Sequence, residues 1–189
     1  MICSHEHKVV VYTPFKNYSS TIQAYLSNRR GKFYPIAGEN PDYNYCQITR
    51  ISRHSIGIPD NIKNSYKKIL PVRNPYERVI SQYWWHYNHH EKIDFDKWLY
   101  THSKQPVCMP VTVIYQDHDC VIRVENLEDE LEKHNLIVHH PLTMERIPIP
   151  HKNKTENRVE VNLSPEQAEL IYFLHYQDFA AGGYKRLFK

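Results

Sequence analysis

Residues 69–85 read ILPVRNPYERVISQYWW, and they carry two patterns joined without a linker. An apolar run, Ile69, Leu70 and Val72, has the β-branched, unbroken character of a strand buried on both faces. It stops at Arg73, and a helix start follows at once. Asn74 is an N-cap residue, Pro75 suits the first helical turn, and Glu77 has the spacing of a capping box. Val79, Ile80, Tyr83 and Tyr87 continue as a helical stripe. A buried strand that hands a guanidinium to the mouth of a helix makes a place to hold an anion.

Outward from that junction, the same grammar recurs upstream. Lys8–Thr13 (KVVVYT) reads as a buried strand, ended by Pro14. Ser19, Ser20 and Thr21 then offer caps to a helix with Ile22, Tyr25 and Leu26 on one face and Arg29-Arg30-Gly31 at its close. Phe33 to Asp60 is hard to read, with turn signals at Glu39–Asp42 and a short strand expected at Cys46–Ile51. Ile58-Pro59-Asp60 opens a further helix. Downstream, Phe95–Thr101 predicts a short helix and Cys120–Val124 a third strand. An Asn126-capped helix follows through His134, then an irregular stretch over 140–162. Ser164-Pro165-Glu166-Gln167 opens a last helix running to about Tyr176, and Gly182-Gly183 closes the pattern. Strands alternating with helices predict an α/β fold, a single domain over residues 1–189 with a central, mostly parallel sheet flanked by helices. Ligands are then expected at the strands' carboxyl ends.

Composition narrows the partner. The 189 residues carry a formal charge of +3 and no long Lys/Arg block, which suits a small anion and gives no reason to expect nucleic acid. Four cysteines without a CxxC pair point to reduced thiols, hence the cytoplasm, rather than to disulfides or zinc. With Met1 as the start, Val9–Tyr12 is too short an apolar run for a signal peptide or a membrane span.

The first and second strands each run into a helix start, so their loops can share one crevice. The first loop brings Lys16, Asn17 and Tyr18 with Ser19, Ser20 and Thr21; an ammonium, hydroxyls and helix-start amides together cradle phosphate. The second brings Arg73, with Ser81 on the helix face beneath the cap. Taken singly, each feature has a plainer reading as a helix cap or a surface ion pair. An ATP-type P-loop, GxxxxGK[ST], is a poor fit: TPFKNYSST has no glycine, and its lysine precedes the hydroxyls.

Thr13–Thr21 followed by a helix resembles the 5′-phosphosulfate loop of sulfotransferases that use 3′-phosphoadenosine 5′-phosphosulfate (PAPS). Val72–Tyr83 (VRNPYERVISQY) is similar to that superfamily's 3′-phosphate motif: an arginine, Asn-Pro, a second arginine, and a serine eight residues after the first. IRVENLEDEL (122–131) and YQDFAAGGY (176–184) are similar to its later landmarks, and the carbohydrate branch is the closest match. Tyr18 stands where a small residue is usual, and Ser20 where threonine is.

The resemblance implies a P-loop-like sulfotransferase fold, PAPS as co-substrate, no metal, and a small-molecule or glycan hydroxyl as acceptor. Arg73 and Ser81 would hold the 3′-phosphate. Lys16 and residues 17–21 would hold the 5′-phosphate, with Lys16 also catalytic. His54 falls where relatives place a histidine near the acceptor and is the candidate general base. Glu77 is expected to be kept from the ligand by capping and by Arg78. Glu125 reads as a helix-entry residue more than a catalytic one. Trp84, Trp85 and Tyr87 read as core, and His86, His89 and His90 as a solvated helix end. A nucleotide or sugar kinase and a non-catalytic nucleotide-binding module are the competing classes.

Overall fold

The structure is a computed structural model and describes residues 1–4, 7–27, 34–35, 60–102, 109–137, 143, 145–150 and 161–188. The expected strand at 46–51, the close of the first helix at 29–31 and His54 all lie outside the described residues.

Five strands form one sheet: β1 (Ile2–Ser4), β2 (Val9–Val11), β3 (Tyr34–Pro35), β4 (Lys67–Val72) and β5 (Cys120–Arg123), in the order β3-β1-β2-β4-β5. β2, β4 and β5 run parallel, with Val11 opposite Ile69 and Val72 opposite Arg123. β1 and β3 extend the sheet antiparallel at one edge. The sequence reading missed both, because two or three residues carry no period. The fold is α/β, as expected. β2 and β4 are parallel neighbours, so their carboxyl ends lie side by side.

Alternation along the strands sorts side chains to two faces. Val9, Val11, Ile69 and Ile122 face one way. There they pack on α1 (Ser19–Ser27) through Ile22, Tyr25 and Leu26, and on α6 (Leu127–Lys133) through Leu127 and Leu131. Val10, Tyr12, Leu70 and Val72 face the other way. There they meet Ile62 of α2 (Asp60–Lys63) and Val111 of α5 (Val111–Ile114). A third cluster joins α3 (Pro75–His89), α4 (Phe95–His102) and α7 (Pro165–Gly182) through Tyr76, Tyr83, Trp98, Ile171 and Phe179.

Helix entries follow local chemistry in two cases and depart from it in one. Asn74 Oδ1 accepts the Tyr76 amide at 3.0 Å, with Pro75 at the start of α3. Ser164 and Gln167 form a reciprocal capping box on α7. At α6, however, a 3₁₀ turn over Val124–Asn126 leads into the helix, and Asn126 makes no side-chain cap. α7 also runs six residues beyond the expected end. It bends at His175 (φ −123°, ψ 18°). Among the described residues no helix is long and apolar enough to cross a membrane.

Candidate anion-binding site

The loop after β2 is held in an uncommon shape without glycine. Lys16 and Tyr18 both have left-handed backbone (φ 62° and 56°), with Asn17 between them outside that region. Each such residue costs about 1–2 kcal/mol, so the surroundings must enforce it. The first bond of α1 runs from the Ile22 amide to Tyr18 O at 2.9 Å, so the amides of Ser19, Ser20 and Thr21 stand outside the helix's own ladder.

Asn17 supplies the enforcement. Its side chain is fully buried and its Nδ2 donates to Pro71 O, inside β4, at 3.0 Å, while its own amide donates to Pro14 O at 3.2 Å. Asn17, expected among the residues that hold the 5′-phosphate, ties the first loop to the strand carrying the second.

The second loop meets the first through Arg73, whose Cζ lies 5.4 Å from the Tyr18 ring centre. Arg73 Nη2 is also 3.2 Å from Glu77 Oε2. The expected capping box is therefore absent. Glu77 turns outward to the guanidinium, and the Asn74 amide is taken by Glu125 Oε1 at 2.7 Å. Nor does Arg78 restrain Glu77. It is 1% exposed and faces Asp178 at 3.4 Å, with a further bond to Met109 O at 2.9 Å. Asp178 also accepts from the Val111 amide, the Thr112 amide and Thr112 Oγ1, at 2.7 to 3.0 Å. This second arginine of the motif thus joins α3, α5 and α7, and it works as scaffold.

Lys16 rests on aromatic faces, its Nζ 5.0 Å from the Phe15 ring centre and 5.6 Å from that of Trp85. The two rings meet edge to face at 5.1 Å. Trp85, read from sequence as core, is half-buried and flanks the first loop. Its separation from Lys16 along the chain hid that role. Trp84 is core, as read. Ser19 and Ser20 are half-buried at the helix start, Thr21 is buried, and Ser81 is 6% exposed two turns into α3. The structure thus brings Lys16, Asn17, Tyr18 and Arg73 together, with Ser81 on the buried side of the helix that Arg73 precedes.

Other chemistries find less support. Burial pushes the Cys3 thiol up to about 11 and raises that of Cys120, so neither is a ready thiolate nucleophile. His89 and His90 are exposed, and among the described residues no three His, Cys, Asp or Glu side chains converge as a metal site.

Comparison of the chain with known protein families, characterised proteins and solved structures finds no match.

Proposed function

We propose that this chain is a PAPS-dependent sulfotransferase with a P-loop-like fold, acting on a hydroxyl acceptor, most naturally a carbohydrate. One observation carries the reading. The loop after β2 is tied to β4 through Asn17 and Pro71 and meets the loop after β4 through Tyr18 and Arg73, so the loops that carry an ammonium and a guanidinium lie side by side. That donor set suits a nucleotide with phosphates at two positions. Lys16 and the amides at the start of α1 suit the 5′ side, and the planar fork of Arg73 with Ser81 suits the 3′ side.

PAPS supplies an activated sulfuryl group. The acceptor oxygen forms a bond to sulfur as the bridging oxygen leaves with the 5′-phosphate, giving adenosine 3′,5′-bisphosphate and a sulfate ester. Lys16 and the loop amides stabilise the charge that grows on the departing phosphate. His54 takes the acceptor's proton in this scheme; a neutral imidazole with a pKa of about 6.5 is suited to that task near neutrality. The reaction needs no metal. We place the enzyme in the cytoplasm, as one domain.

Calorimetry with adenosine 3′,5′-bisphosphate, AMP and ATP, with and without magnesium, tests the reading. The bisphosphate should bind tightest and without magnesium. Arg73→Ala should weaken it by about 1.5–3 kcal/mol, the worth of a charge-assisted contact, while leaving AMP nearly unchanged. Equal losses for both would show that Arg73 does not read the 3′ position, and magnesium-dependent preference for ATP would favour a kinase. Labelled sulfate transfer from PAPS to a glycan panel, read by mass spectrometry, separates an enzyme from a binding module.

A further inference from the structure

The peptide unit that follows Arg73 is held from outside its own loop, and the unit that precedes it lies against the carboxyl-terminal segment. On one side, the Asn74 amide donates to Glu125 Oε1 at 2.7 Å. On the other, Val72 O lies 3.2 Å from the Tyr184 hydroxyl, which is 2.6 Å from Glu125 Oε2. The phenol has one proton, and it goes to the nearer, charged acceptor. A single carboxylate thus receives one donor from the Arg73 loop and one from the carboxyl-terminal segment.

The chain is shaped to deliver that phenol. α7 ends at Gly182, and Gly183 takes the left-handed conformation (φ 63°) while the Tyr184 amide returns to Phe179 O at 2.9 Å. A side chain at Gly182 would collide with the Tyr184 ring. Arg123, at the end of β5, lies with its Cζ 5.0 Å from the centre of that ring. The Leu187 amide donates to Tyr76 Oη at 3.3 Å and holds the segment against α3. Burial, then the hydrogen bond to Glu125, raises the phenol's pKa, so it stays a donor at any working pH.

We propose that Glu125 and Tyr184 are positioning residues for Arg73: Glu125 fixes the backbone that follows it and Tyr184 holds Glu125, so that the guanidinium is presented to the 3′-phosphate of the nucleotide. The assignment of that phosphate rests on the sulfotransferase reading; the hold on the Arg73 backbone does not. Neither residue touches the ligand. Arg73 rests on Glu77 in this structure, and a fixed backbone keeps its guanidinium where an incoming anion can compete for it.

Two variants test this. Tyr184→Phe removes only the hydroxyl, and Glu125→Gln leaves one acceptor oxygen for two donors. Glu125 is solvent-exposed, so its replacement keeps the core intact even if Tyr184→Phe folds poorly. Nuclear magnetic resonance of the unliganded protein should show the Asn74 amide exchanging about tenfold faster and the Arg73 Nε–Hε signal displaced. In calorimetry, the dissociation constant for adenosine 3′,5′-bisphosphate should rise about tenfold and that for AMP less than about twofold. Wild-type exchange and Arg73 signals in folded variants overturn the proposal, as do equal losses for the two nucleotides in a protein that otherwise prefers the bisphosphate. A wild-type protein without that preference counts against the sulfotransferase reading instead, and the two resonance measurements alone then decide the positioning role.

Discussion

Asn17 and Pro71 stand 54 positions apart in the sequence and are joined by a 3.0 Å hydrogen bond from Asn17 Nδ2 to Pro71 O. That bond sets the spacing between the loop of Lys16 and the loop of Arg73. Asn17→Ala should lower stability by about 1–3 kcal/mol, because it strips a buried carbonyl of a partner. It should also weaken nucleotide binding although the side chain faces away from the crevice. Urea melts alongside calorimetry check both; unchanged stability would show that the left-handed turns at Lys16 and Tyr18 hold without the clamp.

Lys16 should matter more for turnover than for affinity. Charge grows on the leaving phosphate mainly in the transition state, so Lys16→Ala should cut kcat by about 10²–10³ with a much smaller loss of bisphosphate affinity. Steady-state kinetics with calorimetry separates the two. A variant that binds poorly yet turns over normally at saturating PAPS would make Lys16 a simple binding residue.

Arg78 and Asp178 form a buried pair whose halves depend on each other. Asp178→Ala leaves a guanidinium without its counter-charge and three α5 donors without an acceptor, and should cost about 3–5 kcal/mol. Arg78→Met combined with Asp178→Ala should cost less than the sum of the two single changes, since neither residue is then stranded. Denaturant melts of the cycle give the coupling; strict additivity would mean the 3.4 Å contact contributes nothing of its own.

His175 gives the fold an acid limb. Burial, then the charge of Arg78, holds its pKa well below the ordinary imidazole value, so it is neutral in the folded protein. The unfolded chain takes up a proton below pH of about 6.5, and the folded chain does not. Stability linked to His175 is therefore fully present above that pH and is lost as pH falls. Relative to His175→Gln, the wild type should lose up to about 1.4 kcal/mol per pH unit below it. Parallel slopes in urea melts between pH 7 and 5 would contradict this.

What the sequence showed and what it hid divides by distance along the chain. The β4–α3 junction was legible because Val72, Arg73, Asn74 and Pro75 each act on a neighbour. The same holds for the box at Ser164 and Gln167. Glu77 was misread because its competitor for the Asn74 amide, Glu125, is 51 residues away. The clamp made by Asn17 was hidden for a related reason: its partner is a backbone carbonyl, and every residue has one. Trp85 fitted a core stripe by periodicity, and only the fold sets it beside Lys16. β1 was invisible because Ile2–Ser4 becomes a strand only when Val9–Val11 pairs with it.

The adjacency of β2 and β4 also dictates when the crevice can exist. Their parallel pairing, with Val9 opposite Lys67, closes a long stretch of chain, and such contacts form at an entropic cost that local helix formation escapes. A nascent chain that stops short of Lys67 carries the whole first loop and has no cradle. On the proposed reading, anion binding would therefore report completion of the fold rather than the presence of a motif, and a ligand at 100 times its Kd would add about 2.7 kcal/mol to the stability of the entire molecule.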